Sequence, residues 1–166
     1  FVGCSINYLF PQIGKSTLRV LKQYGTSAII PAGQKCCGLP AYGAGDLTSA
    51  RALALANLEA FERLGSEKIL VACASCAAHL KRHYPKLFAD EPMALRERVE
   101  RFCGSITDIS AYLLGRLKEG IFQVEREGKM RRVRVTYHDS CHLRRKMGIH
   151  QEPRAVLRAA GIDFAE

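Results

Sequence analysis

Three apolar, β-branched runs, Phe1-Val2-Gly3, Thr26-Ser27-Ala28-Ile29-Ile30 and Lys68-Ile69-Leu70-Val71-Ala72, alternate with amphipathic stretches of helical length. Runs of this kind fold as parallel strands joined by crossover helices, so the expected class is α/β, a parallel β-sheet with crossover helices. The first helix should run from about Pro11, suited to a first turn, to Gly25, suited to a C-terminal cap. Along it Ile13, Leu18, Leu21 and Tyr24 recur at roughly helical spacing. Asp46 is the expected N-cap of a second helix that Gly65 ends, with Ala50, Leu53, Ala54, Asn57, Leu58 and Phe61 packing on the sheet. A third helix is expected from Ala77 to Tyr84, stopped by Pro85.

Each of the three runs is followed by cysteine: Cys4 after the first, Cys36 and Cys37 after the second, Cys73 and Cys76 after the third. In a parallel sheet all three groups emerge at the carboxyl-terminal edge, where open α/β sheets place their ligands. Free cysteine is often a small buried hydrophobe, but packing alone accounts poorly for five thiols delivered to one crevice by three loops. Thiolates are the ligands that iron–sulfur clusters and zinc require. Cys76 falls in the first turn of a helix, where free N–H groups and the helix dipole favour thiolate over thiol. Gly38, with Gly33 before the pair, lets backbone approach a bound group and offer N–H bonds to its sulfurs. Cys103, alone in a charged helical region, reads as a packing residue.

The seven cysteines are an odd number and are clustered, unlike a secreted disulfide scaffold, so a reducing compartment is expected. Nothing approaches the length of a membrane span or the pattern of a cleaved leader. The formal charge of +9 is spread along helical stretches, apart from the basic runs at 131–134 and 144–146, and no aromatic-interleaved basic motif points to nucleic acid. The expected location is cytoplasmic, peripheral to the inner face of the membrane only through partners. The sequence opens on Phe1 inside one apolar run and closes on Phe164-Ala165-Glu166 in another. It reads as a piece of a longer chain, whose remainder is one expected partner.

Residues 85–130 are less regular, with charged helices around Met93–Phe102 and Asp108–Lys118, and read as a helical connector packed on a first domain at 1–84. Val133-Arg134-Val135-Thr136-Tyr137 then reads as a fourth strand, and residues 131–166 as the start of a second, truncated copy. Cys4 stands 21 residues before Gly25, and Cys141 stands 20 before Gly161. In that internal repeat the next Cys-Cys-Gly would fall just past Glu166, leaving the second site incomplete.

The spacing Cys4, then 31 residues, Cys36-Cys37-Gly38, then 35 residues, Cys73-Ala74-Ser75-Cys76 resembles the signature of the cysteine-rich CCG domain. That domain occurs in heterodisulfide reductases and in iron–sulfur subunits of glycolate and lactate oxidation systems. The stretches 38–45, 76–80, 83–85 and 137–143 resemble the lactate-utilisation and glycolate oxidase subunits most, and extend the likeness over nearly the whole chain. The resemblance implies a 4Fe-4S cluster, cubane or noncubane, held by Cys4, Cys36, Cys37, Cys73 and Cys76 with Gly38 beside it. Cys141 would be the lone representative of the second site. It further implies electron transfer from a flavoprotein dehydrogenase acting on a 2-hydroxy acid, with other iron–sulfur subunits as partners. The alternatives are a heterodisulfide reductase-like subunit reducing a disulfide at a noncubane cluster, and a zinc-bound interaction module. Such clusters are lost in air, leaving the thiols free, oxidised or paired.

The remaining candidates read blandly. His138 and His142 flank Cys141 but lack further ligands, and are expected as loop residues. His79 and His83, four apart on one helix face, are expected on a solvated face. Gly14-Lys15-Ser16 lacks the first glycine of a phosphate loop.

Overall fold

Val2 pairs with a side chain instead of a strand. In the computed structural model, which describes residues 1–65, 67–120 and 134–165, Gln34 accepts from Val2 N at 2.9 Å through Oε1 and donates to Val2 O at 2.6 Å through Nε2. The Gln34 amide therefore occupies the edge that a neighbouring strand would use. Phe1 N donates to Leu70 O at 2.7 Å. Neither Phe1-Val2-Gly3 nor Thr26–Ile30 forms the expected strand. With Val2 taken by Gln34, and with Pro31 offering no N–H, the second run has little to pair with, and Ile29 and Ile30 are 71% and 53% exposed.

Helix α1 (Pro11–Gln23) begins with proline in its first turn. It is closed by Gly25 at φ +70°: Gly25 N bonds back to Lys22 O at 3.1 Å and Thr26 N to Leu21 O at 2.9 Å. A positive φ there favours glycine, as anticipated. A short α2 (Leu39–Gly43) leads to α3 (Leu47–Glu62), whose N-cap Asp46 accepts from Ser49 N at 2.9 Å. Strand β1 (Ile69–Val71) runs into α4 (Ala74–Arg82). Then come α5 (Tyr84–Leu87), α6 (Met93–Ser105) and β2 (Ile106–Asp108). Pro85 lies in the first turn of α5 and helps to start a helix; α4 has already ended at Arg82. Strand β2 pairs in parallel with β1, Ile69 opposite Ile106 and Val71 opposite Asp108. Its three residues run from α6 straight into the next helix with no turn residue between, so no sequence period marked a strand there.

Small side chains set the packing distance. Ala50 and Ala54 of α3 and Ala77 and Ala78 of α4 are buried, as are Leu58, Val71, Leu80 and Ile106 between them. An aromatic group fills the remaining volume, with Tyr84 stacked on Phe102 at 5.7 Å and Phe61 edge-on to Phe102 at 5.9 Å. These elements make up one unit, Phe1–Asp108; the other is Ile109–Glu166.

In that second unit, α7 (Ile109–Lys118) packs on α8 (Gln151–Ala159). The expected fourth strand is present as β3 (Arg134–Val135), parallel to β4 (Asp163–Phe164), while Val133 lies outside the described residues. Asp139 accepts from Arg154 at 2.6 and 3.1 Å and from Arg144 at 2.8 Å, and the Arg154 guanidinium lies 5.4 Å from the Tyr137 ring. Among the described residues the protein is thus mostly helical with two small parallel sheets, within the α/β class. Among the described residues no helix is long and apolar enough to cross a membrane.

His79 departs from expectation. The helix bearing it is covered by α2, α5, α6 and both strands, so Cys76 to Leu80 are buried throughout and His79 is 0% exposed. Its Nδ1 lies 3.0 Å from His83 Nδ1, and the rings of Tyr42 and Tyr84 stand 5.3 and 5.6 Å away. Its Nε2 is buried with no hydrogen-bond partner. Burial, and then the neighbouring His83, lower the His79 pKa from 6.5 to about 4. Because the folded value is below the unfolded one, the stability contributed by neutral His79 is complete above about pH 6.5 and is lost as pH falls toward 4. Urea denaturation should show a loss of up to about 3 kcal/mol across that window, and His79→Phe should flatten this part of the slope; an unchanged slope in the variant would contradict the assignment.

Candidate metal centre

Three segments bring five sulfurs together. Cys4 immediately precedes a π-helical turn, Ser5–Leu9, with φ −56° and ψ −39°. Cys36 and Cys37 lie at the end of an irregular loop, and Gly38, at φ +88°, turns the chain into α2. A side chain at that φ would be strained, which explains glycine after the pair. Cys73 occupies the N-cap of α4 directly after β1, and Cys76 sits in the first turn.

The thiols form one continuous run. Cys36 Sγ lies 3.9 Å from Cys4 Sγ. Cys37 interacts electrostatically with Cys36 and Cys76, and Cys76 with Cys73. Close approach at one end depends on Gly3, where a Cβ would stand 2.8 Å from Cys76 Sγ and 3.9 Å from Cys73 Cβ. The shared crevice expected from the spacing therefore forms, although only one of its three segments follows a regular strand.

Backbone amides face the sulfurs. Gly38 N–H is directed to the Cys36 sulfur, Leu39 N–H to that of Cys37, and Ser75 and Cys76 N–H to that of Cys73. Ser75 Oγ adds a contact to Cys73 Sγ at 3.5 Å. The Cys76 sulfhydryl is the largest influence on two neighbours, lowering Cys73 to about 5 and Cys37 to about 7 against the opposing effect of burial. Cys76 itself is pushed far up, because its proton is shared with Cys37 and Cys73. At the first turn of α4 the downward shift falls on the N-cap residue Cys73, which receives the N–H groups of that turn, and not on Cys76. Burial raises Cys36.

A hydrogen-bond network lies behind the Cys36–Cys37 pair. Asn57 Oδ1 accepts from Lys35 N at 2.8 Å, and Asn57 Nδ2 donates to Cys36 O at 2.9 Å and to Tyr84 Oη at 3.1 Å. Tyr84 Oη donates to Cys37 O at 2.9 Å. Asn57 was legible only as one of the sheet-facing positions of α3. The signal was its polarity on an otherwise apolar face, since a buried amide needs partners.

Among the described residues no three His, Cys, Asp or Glu side chains surround a point where one metal ion could sit. The donor set instead fits a soft polynuclear group: several sulfurs spread along a run, with amide N–H groups turned toward them. Cys103 stands apart, buried in the core with Sγ 3.1 Å from Leu80 O, and burial raises its thiol to about 12. That is the packing role expected of it. Cys141 belongs to the second unit, where it is exposed and precedes another π-helical turn, His142–Met147, with φ −57° and ψ −35°. Beside it His138 is exposed and His142 half-buried.

The sequence profile of the CCG family, described as a cysteine-rich domain, matches residues 1–81 and 135–166. The chain belongs to the CCG family. It is 37% identical over 169 residues to a subunit of the fumarate reductase (CoM/CoB) of Methanothermobacter marburgensis, a match spanning 100% of this chain and 30% of that protein. An uncharacterized iron-sulfur protein of Methanococcus maripaludis is 34% identical over 96% of this chain and 28% of its own length. A lactate utilization protein A of Bacillus licheniformis is 32% identical over 99% of this chain and 66% of its own length. The CCG chain thus spans less than a third of the first two relatives and about two thirds of the third. No solved structure matches it.

Substituting Gly3→Ala in this CCG chain should displace the Cys76 sulfhydryl and end its donation to Cys73. Alkylation of Cys73 in metal-free protein, followed by mass spectrometry against pH, should then shift upward from about 5 toward the ordinary cysteine value. Gly104→Ala, which places a Cβ in open space, should leave the profile unchanged. A profile unmoved by Gly3→Ala would show that the contact does not control the thiolate.

Proposed function

We propose that this chain is an iron–sulfur electron-transfer unit in which Cys4, Cys36, Cys37, Cys73 and Cys76 hold a 4Fe-4S cluster, with Gly38 backing it. The single observation carrying this reading is the unbroken run of five thiols, one end of which touches the position of the side chain that Gly3 lacks. Two relatives support it by name, one as an iron-sulfur protein and one as a lactate utilization protein. When bound, the cluster supplies one-electron chemistry. The residues of this chain hold it, direct N–H groups at its ligands and keep water from the buried Cys37 and Cys76. We infer that electrons come from a flavoprotein oxidising a 2-hydroxy acid such as lactate or glycolate, with further iron–sulfur subunits as neighbours.

Cys141 is proposed as the first ligand of a second site. In support, Cys4 and Cys141 share nearly the same backbone angles, each before a π-helical turn. This likeness also supports reading residues 131–166 as the start of a repeat; the proposed organisation is completed by a first domain at 1–84 and a helical connector at 85–130 that packs on it. A second functional reading, disulfide reduction at a noncubane cluster, rests on the resemblance of the cysteine spacing to that of heterodisulfide reductases.

Anaerobic reconstitution of the full-length protein should yield iron with acid-labile sulfide. Cys37→Ser or Cys73→Ser should lower cluster content at this site by about tenfold or more, while Cys103→Ser should leave it unchanged. Stoichiometric zinc without sulfide would overturn the assignment, and equal losses from all three substitutions would overturn the ligand set. Bleaching on addition of a hydroxy acid with its flavoprotein supports electron transfer; turnover of a heterodisulfide supports the second reading.

A further inference from the structure

Two adjacent cysteines pose a geometric problem. Successive side chains of an extended backbone point to opposite faces, so two neighbouring thiols reach one core only if the intervening peptide groups are held in a different conformation. The loop leading to the pair supplies no regular hydrogen bonding, since Thr26–Ile30 forms no strand. Instead, Asn57 and Tyr84 hold three backbone groups in succession: Lys35 N–H, Cys36 C=O and Cys37 C=O. Both side chains are almost completely buried, at 0% and 1% exposure, and they are bonded to each other. They come from different elements, α3 and α5, and each is fixed by its own surroundings. Asn57 stands in the alanine-lined face of α3, and Tyr84 stacks on Phe102 and meets the His79 ring edge-on.

The tyrosine hydroxyl is fully used, accepting from Asn57 and donating to Cys37 O. Neither side chain donates to a cysteine sulfur, so their influence on the thiols runs through the backbone. We propose that Asn57 and Tyr84 are positioning residues that set the directions of the Cys36 and Cys37 thiols, and thereby the electronic structure of the group these thiols bind. The inference rests on the cluster reading above, and goes beyond it by assigning its geometry to two residues that are not ligands.

The test uses the full-length protein reconstituted anaerobically with iron and sulfide, and compares Tyr84→Phe, Asn57→Asp and the core control Val99→Ala. Tyr84→Phe keeps the ring and removes the hydroxyl alone; Asn57→Asp keeps the acceptor for Lys35 N and loses the donor. Far-UV circular dichroism reports folding, iron and sulfide per chain report retention, and electron paramagnetic resonance with redox titration reports ligand geometry. In the first two variants we expect shifted g-values and a shifted midpoint potential, or retention weakened by about tenfold. The control should lose stability without either spectroscopic change. Spectra and potentials of both variants superimposable on the wild type would overturn the inference while leaving the cluster reading intact. The same shifts in Val99→Ala would reduce the effect to general destabilisation and also overturn it. A wild-type protein that takes up no iron and sulfide would instead refute the cluster reading itself, and this inference with it. If Asn57→Asp fails to fold, Tyr84→Phe decides alone.

Discussion

The amide of Asn57 is the junction on which the first unit is organised. It has no exposure, and it bonds at once to the loop entering the cysteine pair, to the pair itself and to the hydroxyl of Tyr84. A buried amide left unbonded costs on the order of 1–3 kcal/mol, so α3, the loop and α5 must arrive in register with one another for the core to close. The alanines around it allow that closure. A bulkier side chain at Ala50 or Ala54 would push α3 away from the groups that Asn57 reaches.

Proton sharing among the sulfurs follows from this enclosure. Cys37 and Cys76 are buried and Cys4, Cys36 and Cys73 partly so, and their charges depend on one another and on nearby N–H groups. Neighbouring sulfurs push Cys76 up, while Cys76, Ser75 and two backbone amides hold Cys73 below the ordinary thiol value. At Cys73 the neighbouring sulfur and the first-turn N–H groups of α4 act in the same direction.

What could be read from residues alone divides along the range of the interactions involved. Pro11 and Gly25 bounded α1, and Asp46 bounded the start of α3, because caps are local chemistry. The gathering of the cysteines was legible from their positions after apolar runs, even though two of those runs are not strands. Strand pairing itself was not legible. Nothing local distinguishes Ile106-Thr107-Asp108 as the partner of β1, or reveals that a glutamine side chain would occupy the edge of Val2. His79 escaped for a related reason: its helix is covered on several sides by elements distant in sequence, and a spacing of four says nothing about them. The bonds of Asn57 and Tyr84 to the cysteine pair end on backbone carbonyls, which leave no mark on composition.

Those carbonyls have an electrical consequence. Asn57 and Tyr84 draw the oxygens of Cys36 and Cys37 toward the interior, while the N–H ends of Gly38, Leu39, Ser75 and Cys76 face the sulfurs. The peptide joining Cys37 to Gly38 is therefore oriented before any charge arrives, its N–H end toward a sulfur and its oxygen tied off behind. Negative charge placed near these sulfurs would meet a peptide already oriented toward it, and little would have to turn. A lining of this kind keeps the reorganisation energy of charge transfer small.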